Sequence, residues 1–562
     1  MALPIPIGID DFRLLRETRL EYVDKSGLIR DLLDRAGAQV VLFPRPRRFG
    51  KSLNLSMLRC WFEKRDEDLS HLFQDLSIWQ AGDEYRAHFQ RYPVIYLSLK
   101  ETKHLTFEAC HAAIRKKIQV LFDDKAYLLE GGALSERARR DYQAILDGTA
   151  EPELYHRALL DLSAHLHAHH GERVLILIDE YDEPIHAGYF NGYANEILDF
   201  MRAFLGAALK TNTHLFRAVL TGILRVAMED PFSGLNIGVY SLLRKEMSTS
   251  FGFTEPEVQA LLERCGRGEM LESVRGWYNG YLFGGEVLYN PWSVLSFLDS
   301  GEADLRPYWL STSSNDLVRE LLQQYAPTLQ TVFETLLSGG SIEEPLEENV
   351  VMSEIRTSPD ALWSLLVFTG YLKAEDAPAD DLGRLMYRLS IPNKEVRQVY
   401  STTFRSWMES RAGGHVALGD LTRAVLSGDA ERFEERLQEL VTNLMSYGDP
   451  GTLQPERVYQ GFVVGLLAAL EPGHQVRSNR ESGKGRPDVL IRPSRPGNPG
   501  VVLELKVARR GKKTLDEALA EGLAQLRSKD YGAELRAAGA APVFGFAVAF
   551  DGKEVRVRSA EG

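Results

Sequence analysis

The feature that most constrains this chain is the run Pro44-Arg-Pro-Arg-Arg-Phe-Gly-Lys-Ser52. It lies between a short apolar stretch, Val40–Phe43, and a helical one, Leu53–Glu63. A glycine, a lysine and a hydroxyl residue at a strand-to-helix junction form the end of a phosphate-binding loop. The N–H groups of such a turn, with the positive end of the following helix, cradle phosphate oxygens. Gly50 allows close backbone approach, Lys51 reaches the β- and γ-phosphates, and Ser52 offers a hydroxyl to Mg²⁺. Arg48, Phe49, Gly50, Lys51, Ser52 and Leu53 are therefore the candidate nucleotide-binding residues of this segment. Arg45 stands where the loop's first glycine belongs.

A second element fits the first. Val174-Leu-Ile-Leu-Ile-Asp179-Glu180 is an apolar strand that ends in two carboxylates. Asp179 is suited to hold Mg²⁺ together with Ser52, and Glu180 to polarise an attacking water. A later run, Leu215–Leu220, leads into Thr221, which is suited to sense a γ-phosphate. Arg225 is a candidate cationic stabiliser of the transition state, with an ordinary surface arginine as the alternative. The runs Val40–Phe43, Val94–Leu97, Val174–Ile178 and Leu215–Leu220 are short, β-branched and without alternation. Strands buried on both faces of a parallel sheet have that pattern. Helical stretches such as Phe107–Leu121 separate them, so the expected fold is α/β, a P-loop NTPase with a doubly wound parallel sheet.

Beyond these elements, the segments Leu177-Ile-Asp-Glu-Tyr-Asp182, Thr221-Gly-Ile-Leu-Arg225, Phe232-Ser-Gly-Leu-Asn236, Phe251-Gly-Phe-Thr254 and Asn290-Pro-Trp-Ser293 resemble the AAA-ATPase-like family of bacterial proteins. That family also lacks the first loop glycine and reads RPRRFGK[ST] there. Its N-terminal lead is matched by Gly8-Ile-Asp-Asp-Phe12 and Val23-Asp-Lys25. The resemblance spans about residues 5–310. It implies ATP binding at Lys51, Ser52 and Asp179 and, by analogy with related ATPases, a lead segment near the adenine.

Residues 235–448 read as a helical, winged-helix-like middle region, with turns at Asn279-Gly280 and Gly284-Gly285. Pro307-Tyr308-Trp309, Trp363 and Tyr371 are core candidates, and Asp429–Glu439 is a helix with a solvated face. Gly448-Asp449-Pro450-Gly451 is a turn into the last domain, so the expected division is 1–234, 235–448 and 449–562. The last domain reads as α+β. It has a helix at Pro455–Leu470, strands at Asp488–Ile491, Gly500–Val507 and Pro542–Ala549, and a helix at Thr514–Tyr531.

Within that domain Asp488 is followed by Glu504-Leu505-Lys506. Side chains alternate along a strand, so Glu504 and Lys506 share one face while Leu503, Leu505 and Val507 take the other. The Pro- and Gly-rich turn Ser494–Gly500 folds the two strands into a hairpin and carries Asp488 toward Glu504. Two carboxylates suit one or two Mg²⁺ ions, and a lysine beside them suits a phosphodiester transition state. The bland alternative is an amphipathic strand with two surface charges. Ser478-Asn-Arg-Glu-Ser-Gly-Lys-Gly-Arg-Pro-Asp488 is a basic, Gly-rich approach to the first carboxylate. The segment from about 454 to 552 resembles the PD-(D/E)XK nuclease superfamily. The resemblance implies a restriction-endonuclease-like fold, with Asp488, Glu504 and Lys506 as the catalytic set, Asp488 and Glu504 as metal ligands, and Gln525 in support. Glu456 is a further acidic candidate. Tyr459-Gln-Gly-Phe462 departs from the relatives' pattern at residue 460.

Charge is distributed in keeping with this. The chain carries −13, yet residues 473–562 hold 17 basic and 11 acidic side chains. A basic segment on an acidic chain suits a nucleic-acid partner, with chance clustering as the alternative. Cys60, Cys110 and Cys265 are the only cysteines and form no disulfide framework or zinc pattern. No apolar run approaches the ~18–20 residues of a membrane span, and the N-terminus has no signal-peptide pattern. A soluble, cytoplasmic chain without a membrane partner is expected. His165, His167, His169 and His170 scatter around a helix and read as solvated. The combined expectation is an ATP-binding protein, an ATPase, coupled to a Mg²⁺-dependent nuclease, with DNA as the expected substrate. The alternatives are a non-cleaving nucleotide switch that binds nucleic acid or a protein partner, and a structural protein with a degenerate loop. A homo-oligomer stays open.

Overall fold

The computed structural model describes residues 3–560 apart from 36, 131, 133, 225, 228–236, 302–303, 310–315, 326–328, 338, 349, 353, 356–357, 412–414, 445–454, 468–469, 471–472, 479–486 and 509–512. Internal contacts group the chain into two compact units, 1–312 with 343–394 and 313–342 with 395–562. The segment 235–448 is divided between them.

The first unit is built on a five-stranded, all-parallel sheet. Its strands are β1 (Val40–Pro44), β2 (Val94–Ser98), β3 (Val174–Asp179), β4 (Leu215–Gly222) and β5 (Ile237–Val239). Their order is β2-β3-β4-β1-β5. All residues of β1 and β3 are buried, which is why their sequences run apolar without alternation. Register decides what meets at the C-terminal edge. Phe43 lies beside Thr221, Ile178 beside Leu220, and Ser98 beside Asp179. The loop after β1, the carboxylates after β3 and the threonine of β4 therefore converge, at the edge where open α/β sheets bind ligands.

The remainder of the first unit mixes helices with two small three-stranded sheets. One pairs Phe253–Thr254, Glu286–Tyr289 and Tyr281–Phe283 antiparallel. The Gly284-Gly285 turn is here the two-residue loop of a hairpin, with φ of 57° and 89°, the geometry such loops need. Helix Glu255–Arg264 begins with a Thr254–Glu257 capping box. Trp309, Trp363 and Tyr371 are buried as expected, whereas Pro307 and Tyr308 are only half-buried.

The second unit carries a mixed five-stranded sheet in sequential order. Its strands are β6 (His474–Ser478), β7 (Val489–Pro493), β8 (Gly500–Val507), β9 (Val543–Asp551) and β10 (Glu554–Ser559). Only β8 and β9 run parallel, and helix Leu515–Ser528 makes the crossover that a parallel pair requires. Ala518 and Leu519 of that helix pack on Ala547 and Ala549, which register with Glu504 and Lys506. On the opposite face Phe433, from helix Ala430–Leu444, meets Phe546, and Tyr459 stacks on Phe550 with ring centroids 4.3 Å apart. The sheet is thus covered on both faces, and Glu504 lies under a helix.

Candidate functional sites

The phosphate loop takes its shape from left-handed backbone at Arg48 (φ 68°) and Gly50 (φ 82°). A Cβ at Gly50 would meet nothing within 4 Å, so space lies open beside the turn. Arg45 needs no such conformation. Its side chain is fully buried, donates to the carbonyl oxygens of Pro44 (2.9 Å) and Tyr240 (2.6 Å), and lies over the rings of Phe251 and Phe283. The residue replacing the first glycine is a strut between the loop and residues 240–283. Burial pulls its guanidinium down to about 9.

Phe49 is buried against Tyr281 and Phe283. The Arg48 guanidinium stacks 4.1 Å from the centre of the Trp292 ring, a contact no sequence pattern announces. Leu53 is half-buried in the first turn of helix Lys51–Phe62. Lys51 is buried, and its ammonium donates to the carbonyl oxygens of Arg45 (3.1 Å) and Pro46 (3.2 Å). Burial pulls Lys51 down, against Glu180, Asp179 and Asp182.

Asp179 is the hub of the site. It is fully buried; its Oδ2 accepts Ser52 Oγ at 2.6 Å and its Oδ1 accepts Thr221 Oγ1 at 2.7 Å. Lys100 Nζ lies 3.5 Å from Oδ2 and donates to Asp10 Oδ2 at 2.6 Å. Glu180 has a left-handed φ of 52°. Burial opposes its charge. The hydrogen bond from Glu183 and the cations Lys51, Lys100 and Arg47 outweigh burial and hold Glu180 below the usual carboxylate range. Glu183 is pushed up by burial and by Glu180, so it keeps the proton the pair shares.

Asp182 stands at the start of helix Glu183–Asn191 but does not cap it with its side chain. Its Oδ2 accepts instead the N–H groups of Ile223 (2.8 Å) and Leu224 (3.0 Å), and Tyr181 Oη donates to Leu224 O at 2.7 Å. These bonds latch the carboxylate segment to the end of β4. The latch leaves no room at Gly222, where a Cβ would stand 2.6 Å from the Tyr181 ring. Arg225 and Phe232–Asn236 lie outside the described residues.

In the second unit the hairpin pairs Val489 with Leu503, which carries Asp488 to Glu504. Asp488 Oδ2 accepts the Leu505 N–H at 2.7 Å, and Lys506 Nζ donates to Glu504 Oε1 at 2.8 Å. Glu504 is 1% exposed, yet its Oε2 has no hydrogen-bond partner among the described residues. Burial and then Asp488 push Glu504 up to about 7, against Lys506 and Lys529. Burial lowers Lys506, but Glu504 and Asp488 outweigh it and raise the ammonium. Gln525 Nε2 donates to Tyr531 Oη at 3.1 Å. Gln460 Nε2 donates to the Asp488 carbonyl at 2.7 Å, so the residue that departs from the relatives' pattern anchors the backbone of the first carboxylate. Residues 479–486 of the basic approach, and the side chain of Glu456, lie outside the described residues.

The histidines before β3 are not simply solvated. His167 and His214 meet through their Nδ1 atoms at 2.9 Å, and His170 Nε2 meets Tyr127 Oη at 2.9 Å. Among the described residues no three His, Cys, Asp or Glu side chains gather as a metal cage, and no helix is long and apolar enough to cross a membrane. Cys60 is buried and unbridged, as expected.

The comparisons with known proteins fall on these two sites. Residues 6–232 match the family described as "Predicted AAA-ATPase", and residues 454–560 match the PD-(D/E)XK nuclease superfamily. A curated relative from Azotobacter chroococcum mcd 1, described as an uncharacterized protein in the vnfD 5′ region, is 30% identical over 400 residues. The match covers 70% of this chain and 68% of the relative. A solved structure of the Aeropyrum pernix Orc1 protein in complex with DNA aligns at 14% identity and a TM-score of 0.23, over 70% of this chain and 96% of that one. So weak an overlap adds nothing to the sheet order described above. The chain belongs to the AAA-ATPase-like family and carries a PD-(D/E)XK nuclease-superfamily domain in residues 454–560.

Proposed function

We propose that this protein binds and hydrolyses ATP in the first unit and, under control of that nucleotide, cleaves nucleic-acid phosphodiesters with Mg²⁺ in the second, DNA being the substrate. The observation that carries the nuclease reading is the Glu504 Oε2 atom, buried near Asp488 with no hydrogen-bond partner among the described residues. An unmet buried acceptor costs about 1–3 kcal/mol. The carboxylate pair around it has the chemistry that hard divalent cations select. A bound divalent cation would supply an activated water and neutralise charge on the phosphodiester. Lys506, held by Glu504, would stabilise the charge that develops on the phosphoryl oxygens. Gln460 and the Leu505 N–H fix Asp488 from its backbone and its carboxylate.

The nucleotide reading rests on the bonds from Ser52 and Thr221 to Asp179 and on the open space at Gly50. Lys51 exchanges its two loop carbonyls for phosphate oxygens. Glu180, held ionised beside Glu183, polarises the attacking water. The test is cleavage of plasmid, linear and single-stranded DNA by the full chain with Mg²⁺, with and without ATP, beside Asp488→Ala and Lys51→Ala. Cleavage lost in Asp488→Ala supports the nuclease, and its dependence on ATP and Lys51 reports coupling. Cleavage in no condition, with ATP still bound, favours the non-cleaving switch instead.

A further inference from the structure

Lys100 follows β2, and sheet register sets it against the carboxylates. Ser98 lies beside Asp179, and the Leu99 N–H donates to the Asp179 carbonyl at 2.9 Å. The Lys100 ammonium consequently stands 3.5 Å from Asp179 Oδ2, the same oxygen that accepts Ser52 Oγ. Ser52 and Asp179 are the residues suited to the cation of the nucleotide site, so a fixed positive charge already occupies the oxygen that cation would approach. A second bond anchors the ammonium, to Asp10 Oδ2 at 2.6 Å. Asp10 lies just ahead of helix Phe12–Glu17, whose Phe12 N–H donates to Ser56 Oγ on the phosphate-loop helix at 2.9 Å. The Lys100 side chain is 34% exposed, so a phosphate can reach it.

We propose that Lys100 is a phosphate-binding cation that stands in for Mg²⁺ on Asp179 until the metal arrives, with Asp10 as its tether. The proposal rests on the nucleotide reading above. Like charges a few ångströms apart oppose each other, so the ammonium and the metal are alternative occupants of Asp179 Oδ2. Without metal, Lys100 supplies positive charge to the phosphates. With metal, it withdraws onto Asp10 and contributes less. Removing the ammonium therefore weakens metal-free ATP binding more than metal-loaded binding.

The experiment measures the Kd of the full chain for ATP in EDTA and in Mg²⁺, for wild type, Lys100→Gln, Lys100→Arg and Asp10→Asn. The readout is the ratio of the two constants, which a loss of folded protein does not move. The ratio is expected to rise about tenfold in Lys100→Gln, the scale of one charge-assisted hydrogen bond. Lys100→Arg keeps it near the wild-type value, and Asp10→Asn raises it by less. An unchanged or smaller ratio in Lys100→Gln overturns the proposal. Wild-type protein that binds ATP in neither buffer overturns the nucleotide reading on which it stands.

Discussion

Asp179 and Glu504 are both buried carboxylates on sheet strands, and their surroundings differ. Both oxygens of Asp179 accept a hydroxyl, and Lys100 lies alongside. Glu504 has Lys506 on one oxygen and, among the described residues, nothing on the other. In the first site the chain itself meets both carboxylate oxygens, and Lys51 is held by loop carbonyls that a ligand would replace. The second leaves one buried carboxylate oxygen without a hydrogen-bond partner among the described residues. On the function proposed above, the second site is the one that takes an external cation.

The largest expected effects break the comparison at its centres. Glu504→Gln should lower cleavage by about a thousandfold or more, the scale of losing a group that acts on the transition state, while ATP binding by the same chain stays at the wild-type Kd. Lys51→Ala should weaken ATP binding by about a hundredfold and leave metal binding at the second site unchanged. Calorimetric titrations of ATP and of Mg²⁺ separate the two. A variant that loses both ATP and metal binding would contradict the assignment of one ligand to each site.

A pH series sharpens the contrast. Glu504 rises from 4.5 in the unfolded reference to about 7 when folded, so the folded chain holds the proton more tightly than the unfolded one. The stability this contributes is fully present below about pH 4.5 and is lost as pH rises to about 7. The loss is on the order of 2–3 kcal/mol. Urea midpoints of metal-free protein should show that component in wild type and lack it in Glu504→Gln. Metal affinity should also weaken below about pH 7, because the ligand must first lose its proton.

Much of the first unit was legible because β1 to β4 are apolar runs buried on both faces. β5 was not, since three residues, Ile237–Val239, carry no periodicity. The hairpin around Gly284-Gly285 was read as a break between helices, because a turn signal does not say what it joins. In the second unit the pairing of Asp488, Glu504 and Lys506 followed from alternation and the Ser494–Gly500 turn. Edge strands β6 and β10 were missed, although Glu-Val-Arg-Val-Arg-Ser in β10 alternates and its burial does too. The supporting residues were the least legible. Lys100 reaches Asp179 only through the register of β2 on β3, Gln460 reaches Asp488 across the fold, and the inward turn of Arg45 depends on Tyr240, Phe251 and Phe283. None of these contacts is local in sequence.

Smaller effects test the frames around each centre. Gly222→Ala puts a methyl into Tyr181 and Asp182 and should destabilise by about 1–3 kcal/mol, with ATP binding weakened through the displaced latch. Tyr531→Phe removes the hydroxyl that accepts Gln525 and should cost about 1 kcal/mol. Thermal melts of the two variants rank them, and a Tyr531→Phe effect as large as that of Gly222→Ala would contradict the packing described.

The most direct measurement is a Mn²⁺ titration of the full chain without nucleotide, followed by electron paramagnetic resonance, for wild type, Glu504→Gln and Asp179→Asn. If the second site takes a cation without nucleotide while the first, with Lys100 at Asp179, does not, one saturable Mn²⁺ is expected in wild type and in Asp179→Asn, and none in Glu504→Gln. Mn²⁺ binding that survives Glu504→Gln, or that disappears in Asp179→Asn alone, would contradict it.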